Sequence, residues 1–192
     1  VLNGALNVVH LPGAKHHAMA EYASGFCVFA DFAVAATEAV KRGQRIAIFD
    51  FDGHHGDGTE ALLADNPQVL TYSVHQFGIF PGTGGSSDAA RHMYNRPLPA
   101  KAGGTELLDA TNDFIQKAKR FQPTMIFVAA GADGHAIDGS DHGLFGADPD
   151  GRNAAPEFGD IGDIRARGES VIAPPGDDGD ALAVQAVELG ES

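Results

Sequence analysis

The sequence predicts an α/β protein of three layers, α/β/α, with a mainly parallel sheet. Three observations carry that expectation. Strand-like and helix-like segments alternate with short connections, which favours parallel pairing with helices on both sheet faces. The run Thr124-Met125-Ile126-Phe127-Val128-Ala129-Ala130 is continuously apolar, as a strand buried on both faces requires. The residues best suited to chemistry follow strand-like runs, where open parallel sheets build their sites.

The elements follow from the chain in order. A short apolar start leads to Pro12 and Gly13, a loop beside the tandem His16-His17. Ser24-Gly25-Phe26-Cys27-Val28-Phe29 reads as a tight glycine entry into an apolar segment. Asp31 to Lys41 is expected to be a helix, with Phe32, Ala35, Ala36, Ala39 and Val40 inward and Gly43 as its stop. A strand is expected over 46–52, a short helix over 59–64 closed by Asn66-Pro67, and a second strand over 69–75. Residues 76–87 form a glycine-heavy loop whose Phe77, Ile79 and Phe80 suit either a binding wall or plain loop packing. Residues 96–99, with two prolines, read as irregular. Glu106 to Phe121 is an amphipathic helix with Leu107, Leu108, Phe114, Ile115 and Ala118 inward. Pro123 breaks it before the apolar strand at 124–130, which delivers Asp133. Residues 138–163 are acidic and glycine-rich without a clear element, 174–180 read as linker, and 181–189 as a short terminal helix.

At 192 residues the chain suits one domain with a substantial core. A net charge of −13 argues against nucleic acid as a partner. No apolar run is long enough for a transmembrane helix, and no signal peptide opens the chain. The single Cys27 excludes an intramolecular disulfide and fits a reducing, cytoplasmic setting.

The chemistry concentrates in Ile46-Ala47-Ile48-Phe49-Asp50-Phe51-Asp52-Gly53-His54-His55-Gly56-Asp57-Gly58. A strand has a side-chain period of two, so Asp50, Asp52 and His54 would project to one side. Three such ligands at a strand's carboxyl end begin a divalent metal site. The alternative is an acidic, solvated loop after an edge strand. Two adjacent histidines, His16 and His17, add candidates for proton transfer.

Together these pieces resemble the histone deacetylase superfamily, which includes acetylpolyamine amidohydrolases and acetoin-utilisation proteins. The matching runs are HHA at 16–18, SGFCVF at 24–29, DFDGHHGDG at 50–58, FGIFPGTGG at 77–85 and AAGAD at 129–133. The resemblance implies an arginase/deacetylase-like fold, incomplete relative to the family, with a metal-binding core over 1–140 and a Gly/Asp-rich segment over 141–192. It implies zinc held by Asp52, His54 and Asp133, and a histidine acid/base pair in which Asp50 orients His16 and Asp57 orients His17. Gly25, Phe26 and Phe80 would line the substrate channel, and a potassium ion would sit at Asp50, Asp52, His54, Ser73 and Val74. The implied activity is removal of short acyl groups from acylated amines or esters, with small-molecule or peptide substrates and an oligomer possible. The family's later oxyanion tyrosine has no match, since Tyr22, Tyr72 and Tyr94 all precede Asp133. The chain is accordingly expected to be a shortened form. Two alternatives remain: a two-manganese ureohydrolase, and a metal-binding remnant that acts as an interaction module.

Overall fold

A computed structural model describes residues 7–10, 15–131 and 183–188. Its elements are β1 (Asn7–His10), α1 (Asp31–Lys41), β2 (Ile46–Asp50), α2 (Asp57–Leu63), β3 (Val69–Gln76), β4 (Met93–Leu98), α3 (Gly104–Phe121), β5 (Met125–Ala130) and β6 (Ala183–Glu188). They form one sheet in the order β1-β6-β5-β2-β3-β4. The four strands from β5 to β4 run parallel, while β6 is antiparallel to both β5 and β1. The sequence expectation of an α/β fold with a mainly parallel sheet holds.

Two apolar layers cover the sheet. On one face α3 packs Leu107, Ala110, Phe114, Ala118 and Phe121 onto Ala47, Phe49, Leu70, Tyr72 and Val74. On the other, α1 and α2 pack Phe32, Ala33, Ala36, Ala39 and Leu63 onto Ile46, Ile48, Val69, Met125 and Phe127. Successive residues of β2 therefore serve opposite layers, as a period of two demands. The Phe49 and Phe114 rings stack at 4.6 Å, tying strand to helix.

The helical stripes differ in detail from the sequence expectation. Ala33 is buried and Ala35 exposed in α1, and Leu108 faces solvent in α3 while Ala110 and Phe121 turn inward. Composition ranks Leu108 above Ala110 as a core residue, but the helical rotation decides which one meets the sheet.

Two segments are corrected outright. Residues 93–98 form β4 rather than irregular structure; Pro97 is tolerated because β4 is the sheet's edge, where a missing N–H costs no ladder bond. Residues 183–188 form β6 rather than a terminal helix. A short apolar run is ambiguous between the two states, and the open ladder edge of β5 decides for strand. Of the remaining C-terminal readings, 138–163 and 174–180 lie outside the described residues. Among the described residues no helix is long and apolar enough to cross a membrane.

The topology fixes where a site can form. From β2 the chain moves through α2 to β3 and β4, then returns through α3 on the opposite face to β5, on β2's other flank. The crevice beyond the carboxyl ends of β2 and β5 is thus a topological switch point. The alternative of a solvated loop after an edge strand fails, because β2 lies in the middle of the sheet and Ile46–Asp50 are all buried.

Replacing Phe114 with alanine should lower the unfolding free energy by about 3–5 kcal/mol, because the buried ring spans both sides of the α3–sheet layer. Urea titration measures it, and a loss below about 1 kcal/mol would contradict this packing.

Candidate active site

The strand β2 ends at Asp50, two residues short of the expected boundary. Beyond it the chain bends twice, and acidic side chains cause both bends. Asp50 Oδ1 accepts the Asp52 N–H at 3.1 Å, and Asp52 Oδ1 accepts the His54 N–H at 2.8 Å. Such carboxylate-to-backbone turns replace the ladder bonds that the strand has left behind. Asp50, Asp52 and His54 do converge, but through consecutive turns rather than through a continuing strand.

The tandem histidines arrive from a distant part of the chain and are clamped there. The His16 carbonyl accepts the Thr59 N–H at 3.0 Å, which gives a partner to one of the otherwise unpaired amides in the first turn of α2. Close approach requires glycine at three points. A side chain at Gly58 would strike the Ala18 carbonyl and the backbone of His16 and His17; one at Gly56 would strike the Asp50 carboxylate; one at Gly25 would strike the His17 ring.

So placed, His16 Nδ1 lies 2.7 Å from Asp50 Oδ2, and His17 Nδ1 lies 2.7 Å from Asp57 Oδ1. An ionised carboxylate only accepts, so each Nδ1 carries the hydrogen and each Nε2 is left to take up a proton. The two rings lie 4.0 Å apart, tilted by 49°. Asp52 Oδ1 stands 3.7 Å from His16 Nε2 and 3.3 Å from His54 Nδ1. A buried carboxylate beside the imidazole of part-exposed His54 is a donor set that suits a zinc ion. Among the described residues no three His, Cys, Asp or Glu side chains form a complete metal-binding group; Asp133, the third expected ligand, lies outside them, three positions past the end of β5.

The expected channel residues are placed differently from one another. Phe80 packs edge-on against His17 at 5.0 Å and lies 6.3 Å from the His54 ring. Gly25 and Phe26 form the two left-handed positions of a tight turn closed by Ser24 and Cys27, and this turn leaves Phe26 fully exposed. Val28 and Phe29 are exposed too, so of the apolar segment expected after Gly25 only Cys27 is buried. Of the residues expected around potassium, Ser73 sits opposite Asp50 in the β2–β3 register and Val74 is fully buried. The Ser73 hydroxyl lies 3.0 Å from His75 Nδ1.

Sequence reasoning missed a second pair of buried histidines, His55 and His75, with rings 4.7 Å apart. His55 Nε2 donates to Glu60 Oε2 at 3.3 Å, and His55 Nδ1 meets the Thr83 hydroxyl at 2.7 Å. His75 Nε2 donates to the Gly84 carbonyl at 3.2 Å, so its Nδ1 accepts from Ser73. The available signal was the strand period, which puts His75 on the same face as Ser73. Burial, followed by the neighbouring His55, pulls the His75 pKa from 6.5 down to about 4, against the Gly84 carbonyl and the charges of Asp50 and Glu60, which raise it. For Glu60, burial acts upward, but hydrogen bonds from His55 and Asn95 outweigh it and hold the acid below its usual range.

The sequence profile of the histone deacetylase domain matches residues 1–149. The chain belongs to the histone deacetylase family. Histone deacetylase 10, chloroplastic, of Oryza sativa subsp. japonica is 40% identical over 139 residues, covering 68% of this chain and 31% of that protein. Acetoin utilization protein AcuC of Bacillus subtilis (strain 168) is 38% identical over 152 residues, covering 74% of this chain and 39% of AcuC. A protein named "Probable deacetylase" in Archaeoglobus fulgidus is 34% identical over 141 residues, covering 70% of this chain and 39% of that protein. This deacetylase-family chain thus spans about a third to two-fifths of the length of these relatives.

The His75 shift has a signed consequence for stability. Between pH 6.5 and about 4 the unfolded chain binds a proton at His75 that the folded chain refuses, so stability falls as pH falls through that window. This group's share at pH 5 is about 2 kcal/mol relative to pH 8. Urea titrations at both pH values should show a smaller pH dependence for His75→Gln than for the parent; equal dependence would contradict a neutral, buried His75.

Proposed function

We propose that this chain carries the metal-binding and proton-transfer part of a zinc-dependent hydrolase that removes short acyl groups from acylated amines or short-chain esters. The observation that carries the reading is the pair of carboxylate-oriented histidines beside the Asp52–His54 donor set at the switch point of the sheet. Family membership and relatives named as deacetylases support a hydrolase of this kind.

In this reading Asp52, His54 and Asp133 hold the zinc. When bound, the ion acidifies water and polarises the acyl oxygen. The protein's own groups then divide the work. Asp50 and Asp57 hold the rings of His16 and His17 in one tautomer, so neither imidazole loses time or energy to reorientation. The Nε2 atoms of that pair take a proton from the attacking water and return it to the leaving amine or alcohol. Phe80, packed on His17, supplies an apolar wall for a side chain whose charge acylation has removed. Asp50, Asp52, His54, Ser73 and Val74 would hold a potassium ion.

Neither Tyr72 nor Tyr94 is placed to supply a donor to the oxyanion. The Tyr72 hydroxyl donates to Asp113 Oδ2 at 2.8 Å beside α3, and Tyr94 lies next to the Lys117 ammonium on that same side. Aryl esters, with good leaving groups, should therefore be cleaved more readily than acetyl-lysine amides.

Zinc-loaded protein should hydrolyse p-nitrophenyl acetate and acetyl-lysine peptides in a chelator-sensitive manner, with the ester faster. His17→Ala should lose about 10²–10⁴-fold in kcat. Absence of chelator-sensitive deacylation, or an unimpaired His17→Ala, would overturn the proposal. Two metal ions per chain with hydrolysis of arginine-type substrates would instead establish a ureohydrolase.

A further inference from the structure

The loop 77–87 carries Phe80, yet little in its own composition holds it in place. It contains four glycines, at 78, 82, 84 and 85, three of them in left-handed conformations. Such a segment surrenders much backbone entropy on becoming ordered. Its large apolar side chains Phe77 and Phe80 are exposed, so core burial does not supply the compensation. Polar fastening does.

The fastening is a chain of hydrogen bonds that leaves the loop and returns to it. Thr83 Oγ1 meets His55 Nδ1 at 2.7 Å; His55 Nε2 meets Glu60 Oε2 at 3.3 Å; Asn95 Nδ2 reaches Glu60 Oε2 at 2.6 Å and the Ser86 carbonyl at 2.9 Å. A second strand of the network joins Gly84 through its carbonyl to His75, and His75 to Ser73. The loop backbone also lies directly on both imidazoles, since a side chain at Gly84 would collide with the His55 and His75 rings. Both rings are at most 2% exposed, too deep to touch a substrate in the crevice. His55 immediately follows His54, and Ser73 pairs with Asp50, so the network ties the aromatic loop to the turn that carries the expected ligands.

We propose that His55 and His75 are positioning residues that fasten the 77–87 loop to the 50–58 turn and thereby hold the Phe80 wall against His17. The inference rests on the proposed acyl-hydrolase reading for its kinetic consequence only. The loop's order is a property of the chain itself. Because Phe80 contacts the substrate's apolar part and the network touches no reacting atom, loosening it should weaken substrate binding more than bond cleavage.

The test uses the 192-residue chain with His75→Ala, His75→Gln and Thr83→Val. Glutamine can still donate to the Gly84 carbonyl; Thr83→Val removes one hydroxyl from an exposed position and leaves the sheet intact. Hydrogen–deuterium exchange should accelerate about tenfold in peptides covering 77–87 for His75→Ala and Thr83→Val, with 46–50 and 125–130 unchanged and His75→Gln near the parent. On an acetyl-lysine peptide, KM should rise about five- to tenfold while kcat stays within about twofold. The proposal is overturned by unchanged exchange in 77–87, by equal acceleration in the sheet strands, or by a fall in kcat at constant KM. If the parent hydrolyses no acyl substrate, the acyl-hydrolase reading fails, and the exchange pattern alone decides the fastening.

Discussion

Two imidazole–carboxylate hydrogen bonds, His16 to Asp50 and His17 to Asp57, are the constraint around which the rest of the site is arranged. They join residues 34 and 40 positions apart in sequence, so they exist only if the sheet is already built. Burying a carboxylate at the end of β2 is costly unless it is hydrogen-bonded, and Asp50 meets that requirement on both oxygens, with the Asp52 amide on one and His16 on the other. Removing either partner would strand a buried polar group. The arrangement is therefore both a structural keystone and a device that dictates which ring nitrogen is left to react.

Among the described residues four buried histidines fall into two pairs with opposite hydrogen placement. In His16 and His17 carboxylates require hydrogen on Nδ1, whereas in His55 and His75 the Glu60 carboxylate and the Gly84 carbonyl require it on Nε2. The first pair directs its basic nitrogens away from its anchors. The second spends its hydrogen bonds holding chain segments together. Histidine adjacency in sequence says nothing about this division: His54 and His55 are neighbours, yet one stands beside Asp52 at the part-exposed site and the other lies beneath the Gly84 backbone.

The central strands and long helices were legible because apolar runs of strand length bounded by turn residues, and apolar residues at helical spacing, mark them. β2 is apolar up to its last residue, Asp50, β5 is apolar throughout, and α3 places Phe114, Ala118 and Phe121 at helical spacing. The outer strands β4 and β6 were not legible. Pro97 looks like a breaker until its edge position is known, and 183–188 look helical until the ladder of β5 recruits them. In the site, Asp50, Asp52, His54 and the tandem histidines were legible as residue types, but the approach of Asp50, Asp52 and His54 was assigned to strand alternation, whereas turns bring these three together. The His55–His75 network was illegible, because its partners Thr83, Gly84, Glu60 and Asn95 are ordinary residues that acquire meaning only through long-range contact.

The hydrogen placement on the histidine rings tests this account most directly. Long-range ¹H–¹⁵N NMR of the folded chain should show His16 and His17 with hydrogen on Nδ1, and His55 and His75 with hydrogen on Nε2. In Asp57→Ala the His17 signal alone should lose that preference. Finding His16 and His17 with hydrogen on Nε2 alone would mean that the carboxylates do not orient them, and the account would fail.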